Sequence, residues 1–203
     1  MAAREKLIAN IVELEMEMFL AVPADGIYRC QQDPDGFRLH RRAQFSMWSE
    51  DTLRSYLEDL YRAKEDGRNL MTIKYARMED LIPPENRNPR IDEIVTIQCG
   101  WQREMIDTYP YLMAGARPLS RSDDANYDTS FEIYLRGELE TYSEGTLVLL
   151  HRDILKLKKT GVNGSEIIYE HLSRELGYDS VEAADRAQKQ RLERSSIENP
   201  LPK

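Results

Sequence analysis

Residues 48–78, WSEDTLRSYLEDLYRAKEDGRNLMTIKYARM, read as two consecutive helices with their punctuation in place. Ser49 stands where an N-cap belongs, before Glu50 and Asp51, whose negative charge suits a helix start. Leu53, Tyr56, Leu57, Leu60, Tyr61 and Lys64 then recur at the helical period along residues 50–66. Gly67 closes that helix in the left-handed conformation, and Asn69 caps a shorter one running to about Glu79.

The same grammar returns further along. Residues 37–78 slide onto 131–172 without a gap at a shift of 94, and 12 of the 42 positions are identical. Roughly two or three identities would arise by chance at ordinary residue frequencies. Ser49, Gly67 and Asn69 meet Ser143, Gly161 and Asn163, which capping chemistry explains; Arg42 meets Arg136 inside a helix, which capping does not explain. At a shift of 83, Ile8, Ile11, Val12 and Glu15 meet Ile91, Ile94, Val95 and Gln98. The second copy therefore holds eleven more residues between its first two helices, within the loop 109–127.

Outward from these copies the chain is helical at nearly every segment. Residues 5–20 place Ile8, Ile11, Val12, Glu15, Met18 and Phe19 on one face; residues 37–48 do the same with Phe37, Arg41, Gln44, Phe45 and Trp48. Residues 83–90, PPENRNPR, cannot continue a helix and read as a linker. Helices follow at 91–108, 128–142, 144–160 and 165–176, with Asn163 and Glu166 at capping-box spacing. A charged helix at 181–194 starts from Ser180, and the tail IENPLPK is expected to be disordered. No alternating strand pattern occurs. The expected fold class is all-α: a first repeat at 1–82, the linker, a second repeat at 91–180, and a C-terminal helix and tail at 181–203, together one globular domain.

Composition bounds the function. The 203 residues carry a formal charge of −8, 32% of them are charged, and the mean hydropathy is −0.63. An acidic chain is a poor neutraliser of phosphates, so nucleic-acid binding is not expected. Glu13, Glu15 and Glu17 interrupt the apolar N-terminal run, which excludes a signal-peptide core there. No uncharged apolar window is long enough for a membrane span. Cys30 and Cys99, two lone thiols without a CxxC, suit a reducing cytoplasm. HExxH, GxxxxGK[ST], GxSxG and Glu-x-x-His are all missing from the sequence, so neither a metal nor a cofactor is expected.

The strings YDTSFEIYLRGELETYSEGTL (127–147) and WSEDTLRSYLEDLYRAKEDGRNLMTIKYARM (48–78) resemble the mainly bacterial family catalogued as domain of unknown function 4125. The resemblance runs from about residue 5 to 180. It implies no activity, substrate or cofactor, and transfers no site residue.

Candidate site residues therefore come from physics. A charged or amide side chain on an apolar stripe needs a partner. Glu15 lies one turn from Ile11 and Phe19, and Gln98 occupies the matching place beside Ile94 and Trp101. Gln44 and its repeat mate Glu138 lie on their stripes, with Arg42 and Arg136 at the edges. The expectation is one cluster of Glu15, Gln44, Gln98, Glu138, Arg42 and Arg136 where the copies meet. It reads either as buried ion pairs fixing helix register or as a site for a small charged ligand. In the long loop, Arg117 and Arg121 form a candidate anion clamp, and Asp128 a candidate ligand residue or N-cap. His151 aligns with Leu57, which points to partial burial.

Two functions follow. The first is a cytoplasmic ligand- or partner-binding helical protein without catalysis, able to form a homodimer through a leftover apolar patch. The alternative is an enzyme acting on a small charged or phosphorylated metabolite through the Arg/Glu cluster, with the loop as a lid.

Overall fold

The structure is a computed structural model that describes residues 2–23, 33–120 and 129–198. Among the described residues the regular structure is helical throughout. The helices are α1 (Ala2–Leu20), α2 (Pro34–Ser46), α3 (Glu50–Glu65), α4 (Leu70–Met78) and α5 (Arg90–Thr108), followed by α6 (Phe131–Leu139), α7 (Glu144–Lys159), α8 (Gly164–Glu175) and α9 (Val181–Glu198). One 3-10 turn, Met113–Gly115, lies between α5 and α6.

Local chemistry sets the boundaries. Asp33 caps α2, with Pro34 in the first turn, where its missing N–H costs nothing. Ser49 Oγ accepts from Thr52 N at 3.3 Å, and Ser143 Oγ from Thr146 N at 3.2 Å. Gly67 and Gly161 end α3 and α7 at φ +65° and +70°, a conformation L side chains resist. Asn69 and Asn163 then open α4 and α8. Each also reaches sideways: Asn69 Nδ2 donates to Met18 O at 2.7 Å, Asn163 Nδ2 to Trp101 O at 3.0 Å. Glu166, at capping-box spacing from Asn163, instead accepts from Tyr109 Oη at 3.1 Å.

The helices pack across the chain as much as along it. α1 lies against α2, α3 and α4, and α5 against α6, α7 and α8; α2 also packs on α8, α4 on α6 and α3 on α7. One large apolar cluster consequently contains Ile11 and Val12 of α1, Leu53 and Leu60 of α3, Ile94 of α5, and Leu147, Leu150 and Ile154 of α7. A smaller cluster of Met105, Tyr109, Met113 and Val181 fastens the start of α9. The α3–α7 contact is tied reciprocally. Asp153 Oδ2 accepts from Ser49 N at 2.9 Å and Thr52 Oγ1 at 2.5 Å; Asp59 Oδ2 accepts from Ser143 N at 3.0 Å and Thr146 Oγ1 at 2.6 Å.

Two helix boundaries need correction, the start of α6 and the end of α9. Helix α6 begins at Phe131, capped by Ser130 Oγ on Ile133 N, not at 128; Asp128 lies outside the described residues, as do Arg121 and Cys30. Both Asp128 and Ser130 are good cap types; Phe131 N and Glu132 N bond to Pro118 O and Leu119 O, which fixes the later start. Residues 83–90, read as a linker, hold no helix before Arg90 and are fastened in place: Asn88 is buried and bonded to Glu144, and Asn86 Nδ2 donates to Tyr142 O at 2.8 Å. The described first part of the long loop is anchored too, because Asp185 Oδ1 accepts from Tyr111 N and Leu112 N at 2.9 and 2.8 Å. Helix α9 runs on to Glu198, past the expected end at 194.

Candidate functional site

Arg41 lies at the centre of a sealed charge network. Its helix α2 turns the guanidinium inward, one turn before Phe45, whose ring centre is 4.8 Å from the Arg41 Cζ. From α1, Glu15 accepts from Arg41 Nε at 2.7 Å and Nη2 at 2.5 Å. From α6, Glu138 accepts from Nη2 at 2.8 Å and Nη1 at 3.2 Å. One guanidinium fork thus bridges two carboxylates from opposite sides. Lys74 of α4 donates to Glu138 Oε2 at 2.6 Å while its ammonium sits 3.7 Å from the Tyr134 ring centre. Tyr56 Oη donates to Glu15 Oε1 at 2.7 Å, and Tyr142 Oη to Glu138 Oε1 at 2.6 Å.

Glu15 is 0% exposed and Lys74 2%, so these charges exist in a low dielectric and need their partners. Burial opposes the charge on Glu138, but Arg41 and Lys74 outweigh it and hold the carboxyl far below its ordinary value. Burial likewise opposes Arg41 and Lys74, and their carboxylates override it, so both stay protonated. Burial raises the Tyr56 and Tyr142 hydroxyls, and the adjacent Glu15 and Glu138 raise them further; both remain donors. Two carboxylates and two cations leave the network neutral. Beside it, Trp48 packs edge-on against Phe45, Tyr56 and Tyr142, with ring centres 5.0, 5.6 and 5.8 Å away. Its buried Nε1 has no hydrogen-bond partner among the described residues.

The sequence placed some of these residues and misplaced others. Glu15 and Glu138 meet through Arg41. Gln98 is buried on α5 but is not a partner of this network, and Gln44 is half-buried. Arg42 and Arg136 do not join the cluster. Arg42 is exposed, because one residue along a helix is a turn of roughly 100°. Arg136 reaches outward to Asp92 at 2.7 Å. Arg117 is exposed, donating to Thr129 O at 3.3 Å and lying 5.0 Å from the far-reaching Tyr134 ring centre. Arg41 and Lys74 were the missed cations. His151 is half-buried and bonded to Glu93 at 2.7 Å.

Three open clefts lie elsewhere. One of about 250 Å³ is formed by α2, α8 and α9. A second of about 360 Å³ runs beside Asp59, Arg62, Arg68 and Tyr142. A third of about 300 Å³ lies beside Trp101 and Lys158. Among the described residues no group of three His, Cys, Asp or Glu stands where it could hold a metal ion, and no helix is long and apolar enough to cross a membrane.

Fold and network together define an all-helical protein with a buried, internally paired charge network. The chain belongs to the family described as protein of unknown function DUF4125, whose model matches residues 5–186. Neither the curated proteins nor the solved structures yield a match.

Proposed function

We propose that this chain is a non-catalytic helical binding protein, made of two tandem copies of one four-helix unit, whose buried ion network pins the copies together. One observation carries the reading. All four carboxylate oxygens of Glu15 and Glu138 already accept from Arg41, Lys74 or a tyrosine. Of these side chains, only Tyr142 borders one of the three clefts. A reaction centre needs room for substrate and a group poised to change its proton. Here a carboxylate is held ionised by two cations, with its oxygens occupied. That weighs against an enzyme working through this cluster on a charged or phosphorylated metabolite.

The two-copy reading, with copies at 1–82 and 91–180, is supported by pairs of bonds at matched positions. Asp59 and Asp153 each tie the other copy's cap. Asn69 and Asn163 each hold the carbonyl of a first-helix residue, Met18 and Trp101, which match at the shift of 83. Second helices pack on the other copy's fourth.

A thermal-shift screen of metabolites, followed by NMR of each hit, tests this. A ligand that binds the native state raises its stability by mass action. The expected hit is recovered chemically unchanged, and Glu138→Gln lowers the protein's stability without weakening the hit. Turnover of a hit that Glu138→Gln abolishes would overturn the reading.

A further inference from the structure

We propose that the cleft between α2, α8 and α9 binds a small amphipathic monoanion, with its apolar body on a leucine wall and its anionic head at Arg191. The wall is Leu39, Leu112, Leu172 and Leu176, brought together from three separate parts of the chain. Leu176 is 62% exposed there, an apolar cost that a ligand's tail would remove. At about 250 Å³ the cleft falls just under the roughly 300–1,000 Å³ of sites for drug-sized ligands, which favours a short chain or a single ring system.

Charge selects the head group. The chain holds 36 acidic and 28 basic residues, yet among the described residues no carboxylate lines this cleft, whereas Asp59, Asp66, Glu85, Glu140 and Glu144 line the cleft beside Tyr142. Arg191 borders the wall from α9, with no ion pair to a described residue. A guanidinium next to apolar surface, free of competing carboxylates, selects a carboxylate or sulfonate over a cation. Gln188, one turn before Arg191 and also in the lining, adds an amide donor.

The site rests on reading the chain as a binding protein, and a chain-length series separates the two claims. Hexanoate, octanoate and octylammonium are titrated calorimetrically into the full chain, with NMR of the recovered compounds. Affinity should rise by about fourfold per added methylene, as burial of tail predicts, and octylammonium should bind at least tenfold more weakly than octanoate. Arg191→Glu, on an exposed helical position, should weaken octanoate by about tenfold. Leu39→Trp, which plugs the wall, should abolish binding while Arg191→Glu keeps the test valid should the plug unfold the chain. No binding, equal affinity for octanoate and octylammonium, or indifference to Arg191→Glu would overturn the site and leave the binding-protein reading standing. Conversion of octanoate would instead overturn that reading.

Discussion

Arg41 illustrates how much depends on one buried side chain. Arg41→Met keeps the length and removes the charge, leaving Glu15 and Glu138 buried with fewer donors. Breaking a buried pair from one side costs about 3–5 kcal/mol, and urea unfolding should show a loss of that size. Glu138 gives the pH dependence. Its folded carboxyl titrates below the ordinary 4.5 that it regains on unfolding. Its contribution is therefore present above that pH and drains away as pH falls toward the depressed folded value. The stability gap between wild type and Glu138→Gln should be widest near neutrality and narrow below pH 4.5, as measured by urea midpoints across pH. Cys99 is set by the same burial, which pushes its thiol up to about 11. In a Cys30→Ser background, iodoacetamide at pH near neutral should label folded Cys99 on the order of a hundredfold more slowly than the unfolded chain, since the thiolate is the nucleophile. In the sequence, Arg42 drew notice because it repeats as Arg136, yet the repeated pair faces outward. Arg41 and Lys74 stand opposite Leu135 and Ile168 under the same shift; a cation matched to an aliphatic residue is the mark of burial that the repeat offered.

At the scale of elements, the caps were legible and their tethers were not. As caps, Ser49, Gly67 and Asn69 act on backbone within a few residues, so their types announce the helix ends. Asp59 and Asp153 act on helix starts 84 and 104 residues away, and nothing local separates them from any exposed aspartate. Asp59→Ala and Asp153→Ala should each cost about 1–2 kcal/mol, seen as lowered urea midpoints, with Asp59→Ala loosening hydrogen-exchange protection at the start of α7 and Asp153→Ala that of α3. Gly67→Ala and Gly161→Ala meet open space, so any cost is that of the backbone conformation alone, about 1 kcal/mol each. The start of α6 escaped the sequence because two capping residues compete within three positions, and contacts to Pro118 and Leu119 decide between them.

For the molecule as a whole, the all-helical class followed from periodicity, whereas the crosswise packing of α2 on α8 and α4 on α6 did not, because partners far apart in sequence carry no local signature. That packing predicts how the chain comes apart. Residues 1–82 and 83–203, expressed separately, should each lack helical cooperativity by circular dichroism and recover it when mixed in equal amounts. Two halves that fold alone would contradict a core shared between them. The network adds a sign to this dependence. Glu15, Arg41 and Lys74 come from the first half and leave it one positive charge in excess; Glu138 comes from the second and leaves it one negative. The two halves are thus unlike in the charge they bring to the network. The first half joined to itself would enclose a surplus of cations, and the second joined to itself would trap two bare carboxylates. Only the unlike union is neutral, so a chain with either half doubled in place of the other should be much the less stable.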